Sequence, residues 1–321
     1  MPGVADPQRS GRRPLGTAVA TTVLVTGSGP AVAGQPRLAA GADDRPLRIL
    51  ISNDDGYRHP YIRQLQAALK GAGHKAVIVA PAEDQSGRGT GLTLSAKATI
   101  RAEQAEPDIW SVTGTPGDAV NFGLEHVFGS AAPDLVVSGV NAGANAGTAV
   151  NHSGTVGATV AAADAGIPAI AVSADADLTN PDDRYPSAPQ AAAFAERVVE
   201  RLARTADTGP LLPAGATLNI NYPAHPDGGV AFTNLGKARN YTFSYVPDPA
   251  SCATCYKPKL GYDPNAPESV RNADTSALAA NDVSLSLLTA DWGANGWAAG
   301  ARPPSTEDVQ RTKARLTGLR P

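Results

Sequence analysis

The 321 residues carry 42% apolar and 18% charged side chains, an ordinary globular balance with room for one large domain or one domain and a smaller appendage. Lys and Arg number 27 against 30 Asp and Glu, a formal net charge of −3. No basic stripe runs along the chain, which argues against a duplex nucleic-acid binder. A small phosphorylated ligand stays open, because one phosphate needs only a local site.

The start of the chain differs from the rest. Arg9, Arg12 and Arg13 precede a short apolar run, Leu15 to Val25, and small residues follow, with Ala31-Val32-Ala33 and Ala39-Ala40 as cleavage sites. This is the anatomy of a secretory signal, and the run is too short for a spanning helix. The Arg12-Arg13 pair makes twin-arginine export an option, although its flanks match weakly. Residues 1–44 are therefore expected to be a leader outside the fold of a secreted protein. The alternative is a disordered tail on a cytoplasmic one.

Leu47 to Ser52 is a compact apolar run that reads as a strand buried on both faces. Pro60 suits the first position of a helix, Tyr61, Ile62, Leu65, Ala68 and Leu69 recur at helical spacing, and Gly71 and Gly73 close it. Ala76 to Ala80 reads as a second buried strand, 81–91 as a polar Gly-rich loop, and Leu92 to Ile100 and Ile109 to Val112 as further strands. Pro116 to Phe128 is expected to be helical, Asp134 to Ser138 a strand, Gly139 to His152 a loop, Gly154 to Ala165 a helix and Ala169 to Ser173 a strand. Ala188 to Ala206 follows as an amphipathic helix and Leu218 to Asn221 as a short strand.

Strands alternating with helices predict an α/β fold, a mostly parallel sheet with helices on both faces. The core is expected over 45–228. Residues 229–290 hold aromatic and β-branched residues and turns, and Glu307 to Leu316 fits a terminal helix. Residues 229–321 thus read as a β-rich hairpin extension and C-terminal segment completing the fold or an oligomer. Cys252 and Cys255 form a C-x-x-C in a Pro-rich polar stretch, which in an exported chain reads as a disulfide stapling a loop. A zinc site would need ligands that the neighbourhood lacks.

Open α/β sheets bind ligands beyond the carboxyl ends of their strands, which selects four loops. Asn53-Asp54-Asp55-Gly56 places two adjacent carboxylates at a buried strand end. A hard divalent cation, Mg²⁺ or Mn²⁺, resolves their repulsion, and a plain turn before Pro60 is the alternative. Asp84 to Thr90 offers glycines and the Ser86 hydroxyl without the spacing of a P-loop. Ser138 to Asn145 brings Asn141 and Asn145 among small residues, neutral oxygen ligands and amide donors. Asn151 to Thr155 precedes an Ala-rich helix, whose N-terminus welcomes an anion, with Ser153 and Thr155 as hydroxyl donors or Ser153 as an ordinary cap. Each loop alone has a plainer reading: a capping turn for the first, a flexible surface loop for the second, a tight turn for the third and an N-cap for the fourth. Together they suit phosphoryl transfer to water. The acidic loop 174–187, with Asp175, Asp177, Asp182 and Asp183, fits a solvated loop better than a Ca²⁺ site.

Several runs carry a resemblance: Ile49 to Gly56 (ILISNDDG), Val79-Ala80-Pro81 with Ser86-Gly87, Gly114 to Asp118 (GTPGD), Pro133 to Asn145 (PDLVVSGVNAGAN), Ser153 to Val156 and Leu218 to Pro223 (LNINYP). The chain resembles the SurE family of survival-protein nucleotidases, closely over 47–223 and more loosely over Asp274 to Asp291. The resemblance implies a Rossmann-like three-layer αβα core and a divalent-metal-dependent 5′/3′-nucleotidase, a phosphomonoesterase that hydrolyses nucleoside monophosphates with metal-activated water. It implies Asp54, Asp55, Ser86 and Asn141 as metal ligands, and Asn145, Ser153, Gly154 and Thr155 facing the phosphate. Asp54, Asp55, Asn145 and Ser153 would carry catalysis, and Gly114 to Asp118 would be structural. It further implies a homodimer or homotetramer assembled through a β-hairpin and C-terminal exchange. Thr90 stands where the family commonly has Asn, and His152 where it often has an aromatic residue. Two rivals are a non-catalytic nucleotide- or phosphate-binding protein and a metal-independent serine hydrolase using Ser153 with His152, for which G-x-S-x-G is missing.

Overall fold

Arg48–Ser52 (β1) shows why the chain opens as it does: Ile49 and Ile51 alternate with Leu50, and all three are fully buried. Ile49 and Ile51 join one core cluster, with Ile62, Leu65, Leu69, Phe194, Val198 and Leu202. Leu50 joins the other, with Val120, Ala158 and Ala162. A strand buried on both faces needs helices above and below it, and they are present. The computed structural model describes residues 45–206, 209–290 and 305–321. The leader expected over 1–44 lies outside the described residues.

After β1 come α1 (Pro60–Gly71), β2 (Lys75–Pro81), β3 (Ala102–Glu106), β4 (Ile109–Val112), α2 (Pro116–Phe122) and β5 (Leu135–Ala142). Then follow α3 (Gly154–Asp164), β6 (Ala169–Ala174), α4 (Ala188–Thr205), β7 (Ala216–Tyr222), β8 (Val230–Thr233), β9 (Tyr241–Pro247), β10 (Tyr256–Tyr262), α5 (Asp274–Ala279), β11 (Val283–Thr289) and α6 (Thr306–Leu316). Nine strands form one sheet in the order β3-β4-β2-β1-β5-β6-β7-β11-β8. β4, β2, β1, β5, β6 and β7 run parallel, while β3 and β11 pair antiparallel to their core neighbours. Helices α1 and α4 cover one face and α2 and α3 the other, giving three layers.

Two expectations change. Leu92 to Ile100 is not a strand: the stretch is irregular and Leu94 is 83% exposed. The edge strand is β3, a mostly exposed polar run whose pairing with β4 no apolar pattern announces. Secondly, β5 runs on to Ala142, past the expected end at Ser138, and its register against β6 shifts between Ser138 and Asn141. Such an irregularity re-aims side chains at a strand end. Helix α2 begins at the Thr115–Asp118 capping box, and Asp118 also accepts from Thr93 N at 3.1 Å and Thr93 Oγ1 at 2.6 Å. These bonds give Gly114 to Asp118 its structural work.

The sheet continues across residue 228, because β8 and β11 extend it beyond β7. Among the described residues only β9 and β10 stand apart, as an antiparallel hairpin with the Cys252–Cys255 disulfide in its connecting loop. The hairpin's stem is tied by Glu268, whose carboxylate accepts from Lys237 N, Ala238 N, Ser269 N, Val270 N and Thr275 Oγ1. Burial raises its pKa, but the bonds from Val270, Thr275, Ala238 and Lys237 outweigh that and hold it at about 2. A depressed folded pKa adds stability above the ordinary value of 4.5 that is lost as pH falls toward about 2. Glu268→Gln is therefore expected to lower the urea midpoint at neutral pH, with the gap to wild type closing over that acid window. A gap independent of pH would show that the ionised carboxylate contributes nothing.

Candidate active site

The first loop leaves β1 as a closed turn. Asn53 is fully buried; its Nδ2 donates to Gly56 O at 3.1 Å and its Oδ1 accepts from Gly56 N at 3.2 Å. Gly56 sits at φ +97°, a conformation that favours glycine. Asn53 and Gly56 therefore shape the turn, and it presents Asp54 and Asp55. Asp54 is buried, and its Oδ1 accepts the Thr155 hydroxyl proton. Burial raises its pKa against the bonds from Thr155 and the backbone. Asp55 is pushed up to about 7, first by burial and then by the charge of Asp54, and its Oδ2 is buried with no hydrogen-bond partner.

The second loop is locked to the first. Gln85 N donates to Asp54 O at 2.7 Å, which puts Ser86 beside the carboxylates, and Ser86 N donates to Asp84 Oδ1 at 2.8 Å. In the third loop, Asn141 Nδ2 donates to Gly143 O at 2.7 Å, leaving Oδ1 as the atom able to serve a cation. Asn145 is gripped from several sides. Its N–H donates to Asn221 Oδ1 at 2.7 Å and its Nδ2 to Ser173 Oγ at 3.0 Å. Its carbonyl accepts from Asn219 Nδ2 at 2.8 Å and Asn221 Nδ2 at 3.1 Å. Asp274 Oδ1 then accepts from both Gly147 N and Gly236 N, joining this loop to the segment that leads into the hairpin.

Ser153 caps α3, its Oγ accepting from Val156 N at 3.1 Å, so the ordinary cap reading holds and the hydroxyl proton remains for a ligand. Thr155 is different: its hydroxyl is committed to Asp54, so it positions a carboxylate. Among the described residues no hydrogen bond joins His152 to Ser153; the His152 ring instead meets Phe243 edge to face at 6.2 Å.

Asp54, Ser86, Asn141, Asn145 and Ser153 line one cavity of about 540 Å³. Asp55, Gly154 and Thr155 are not among its lining residues. Its opposite wall comes from the hairpin and its stem, through Arg239, Tyr241, Phe243, Pro258 and Leu260, which the sequence reading did not single out. Their signal was the alternation of Tyr241, Phe243 and Tyr245, legible as a strand face but not as a wall of this site. Asn219 and Asn221 were likewise missed as the residues that hold Asn145.

Two desolvated neighbouring carboxylates, one with an unpartnered buried oxygen, fit a hard divalent cation. Among the described residues no three His, Cys, Asp or Glu side chains gather as a metal cluster, so a cation here would draw on Ser86 and Asn141 as well. The acidic loop offers no second site: Asp177 pairs with His225 at 2.9 Å and accepts from Thr179.

A mostly parallel α/β sheet with carboxylates, neutral oxygens and a helix N-terminus gathered at the carboxyl edge of its strands defines the class, an α/β protein whose candidate site lies at that edge. The family model described as Survival protein SurE matches residues 49–242, and the chain belongs to that family. It is similar to the 5′-nucleotidase SurE of Syntrophotalea carbinolica, 41% identical over 194 residues that span 60% of this chain and 72% of the relative. The 5′-nucleotidase SurE of Microcystis aeruginosa is 41% identical over 217 residues, 64% of this chain and 75% of the relative. The crystal structure of the SurE protein from Aquifex aeolicus superposes with a TM-score of 0.62 at 29% identity, covering 77% of this chain and 95% of that one.

Proposed function

We propose that this chain is a divalent-cation-dependent 5′-nucleotidase, a phosphomonoester hydrolase acting on nucleoside monophosphates. The observation that carries the reading is the desolvated Asp54–Asp55 pair set against the capped N-terminus of α3. Asp54, Asp55, Ser86 and Asn141 would hold Mg²⁺ or Mn²⁺, which supplies Lewis-acid charge to a phosphate and makes water nucleophilic near neutral pH. The protein's own part is to bind and orient. Asn145, fixed by Asn219 and Asn221, presents an amide to a phosphate oxygen. The Ser153 hydroxyl and the positive end of α3 take the other oxygens. Thr155 keeps Asp54 aimed. Water oxygen bonds to phosphorus as the ester P–O bond breaks, and the nucleoside leaves as the alcohol.

The test is phosphate release from nucleoside monophosphates by the chelator-stripped protein. No turnover is expected in excess EDTA, and Mg²⁺ or Mn²⁺ should restore it. Undiminished activity in EDTA would overturn the proposal. The Cys252–Cys255 disulfide supports the further reading that the chain is exported to an oxidising compartment, which recovery of the protein from the culture medium would check.

A further inference from the structure

The loop after β2 divides two cavities. Ser86 and Gly87 line the one that holds the candidate site. Glu83, Gln85 and Arg88 line a second, of about 480 Å³, which shares no lining residue with the first. Hydrogen bonds hold its frame. Ala82 N donates to Val112 O at 2.8 Å, Thr115 Oγ1 donates to Gly91 O at 2.6 Å, and Thr93 donates to Asp118 through both its N–H and its hydroxyl. The Thr93 and Thr115 hydroxyl protons are therefore committed to the fold. None of the residues lining this cavity has a part in the proposed hydrolysis.

What the second cavity offers a ligand is charge of both signs. Among the described residues, no hydrogen bond or ion pair engages the side chains of Glu83, Gln85 or Arg88, and Glu83 and Arg88 do not bridge each other. A guanidinium presents a fork of donors that matches a carboxylate. A carboxylate accepts from an ammonium, and the Gln85 amide can serve either group. A ligand with a single charge would leave the opposite wall without a partner. A small zwitterion satisfies both, and a free α-amino acid is such a molecule. The volume is of the size that takes a whole small molecule, and Leu92, 42% exposed, gives its side chain an apolar contact.

We infer that this cavity is an effector site for a free α-amino acid, and that Ser86 reads its occupancy. Gln85 N donates to Asp54 O at 2.7 Å and Arg88 N donates to Gln85 O at 3.1 Å, so the two residues that grip the ligand bracket the turn carrying Ser86. Gly89 N, one residue on, donates to His152 O at 3.1 Å. A ligand that fixes Gln85 and Arg88 fixes the Ser86 turn between them, and a cation then meets a site already ordered. The amino acid thus tightens cation binding, and by linkage the cation tightens amino-acid binding by the same factor. The binding half of the inference is independent of the nucleotidase reading, and the coupling half rests on that reading's use of Ser86 as a cation ligand.

Isothermal titration of the full chain with L-alanine, L-leucine and L-glutamine tests the binding half. At least one is expected to bind with a Kd below about 1 mM. Propionate and propylamine, each with one charge, should bind at least about 10-fold more weakly. Arg88→Gln and Glu83→Gln should each weaken the amino acid at least about 10-fold, and Lys259→Ala, on the hairpin, should not. Glu83 and Arg88 are exposed, so neither exchange touches the core. Coupling is read without turnover: the Kd for Mn²⁺ should fall about 5-fold or more at a saturating concentration of the amino acid, and Arg88→Gln should remove that effect at the same concentration. Binding of none of the three amino acids, equal binding of a singly charged analogue, or binding unchanged in either variant overturns the inference. An Mn²⁺ affinity indifferent to the amino acid overturns the effector role. If wild type binds no Mn²⁺ and releases phosphate from no nucleotide, the nucleotidase reading falls by itself, the coupling half falls with it, and amino-acid binding alone decides the cavity.

Discussion

Asp54→Asn is expected to lower turnover by about 10³-fold or more while the protein stays folded. The substitution keeps the shape of a buried side chain and keeps an oxygen that can accept from Thr155. It removes a carboxylate that burial already disfavours. Without a cation, the variant should therefore unfold at the wild-type temperature or above it. The two proteins should separate when Mg²⁺ or Mn²⁺ is added. A ligand bound only by the native state stabilises it by about 2.7 kcal/mol at a hundred times its Kd, and wild type should gain such a shift while Asp54→Asn loses it. Phosphate release and thermal unfolding, each with and without cation, check both halves. Full turnover in the variant, or an equal cation-induced shift in both proteins, would remove Asp54 from the ligand set.

Much of this site was legible in the sequence because its parts are local. A buried strand ending in Asn53-Asp54-Asp55-Gly56 is a contiguous signal, and so is a Ser placed just ahead of an Ala-rich helix. The supporting parts are not local. Leu218 to Tyr222 alternates Leu, Asn, Ile, Asn and Tyr, the pattern of a strand with one wet face, yet all of β7 is buried. Asn219 and Asn221 are tolerated there because they bond to Asn145, more than seventy residues away. Thr155 presented a hydroxyl at a helix start, and only the approach of that helix start to the loop after β1 shows that it points at Asp54. The pairing of β11 with β7, and the hairpin's return over the cavity, rest on long-range contacts with no periodicity to announce them. Leu92 to Ile100 misled in the opposite way: alternation was present, yet the stretch stays irregular and the edge strand forms just after it, over Ala102–Glu106.

Gly154→Ala should cost about 10²-fold in turnover with little loss of stability, which separates positioning from folding. Glycine is not required at 154 for its backbone angles, since it opens an ordinary helix. It is required for space: a Cβ there would lie 2.7 Å from Asp54 Cβ and 2.9 Å from Asp54 Oδ2. The crowded atoms include the root of the Asp54 side chain, so the carboxylate itself must move, and displacement of a reacting group by about 1 Å can cost about 10²-fold. Alanine in place of glycine at ordinary backbone angles otherwise stabilises by roughly 0.4–1 kcal/mol through the unfolded chain, which offsets part of the clash in the unfolding free energy. Gly157, one turn on, provides the contrast. A Cβ there would lie 1.9 Å from the backbone carbonyl oxygen of Gly89, an atom that cannot turn aside. Gly157→Ala is thus the substitution that should destabilise, by the roughly 1–3 kcal/mol typical of overpacking, because it pries α3 off the loop that carries Ser86. Measured side by side, kcat should fall in Gly154→Ala at a near-normal melting temperature, and the melting temperature should fall in Gly157→Ala. A Gly154→Ala protein with normal kcat would mean that Asp54 tolerates displacement, and the close approach of Gly154 to Asp54 would then have no bearing on the chemistry.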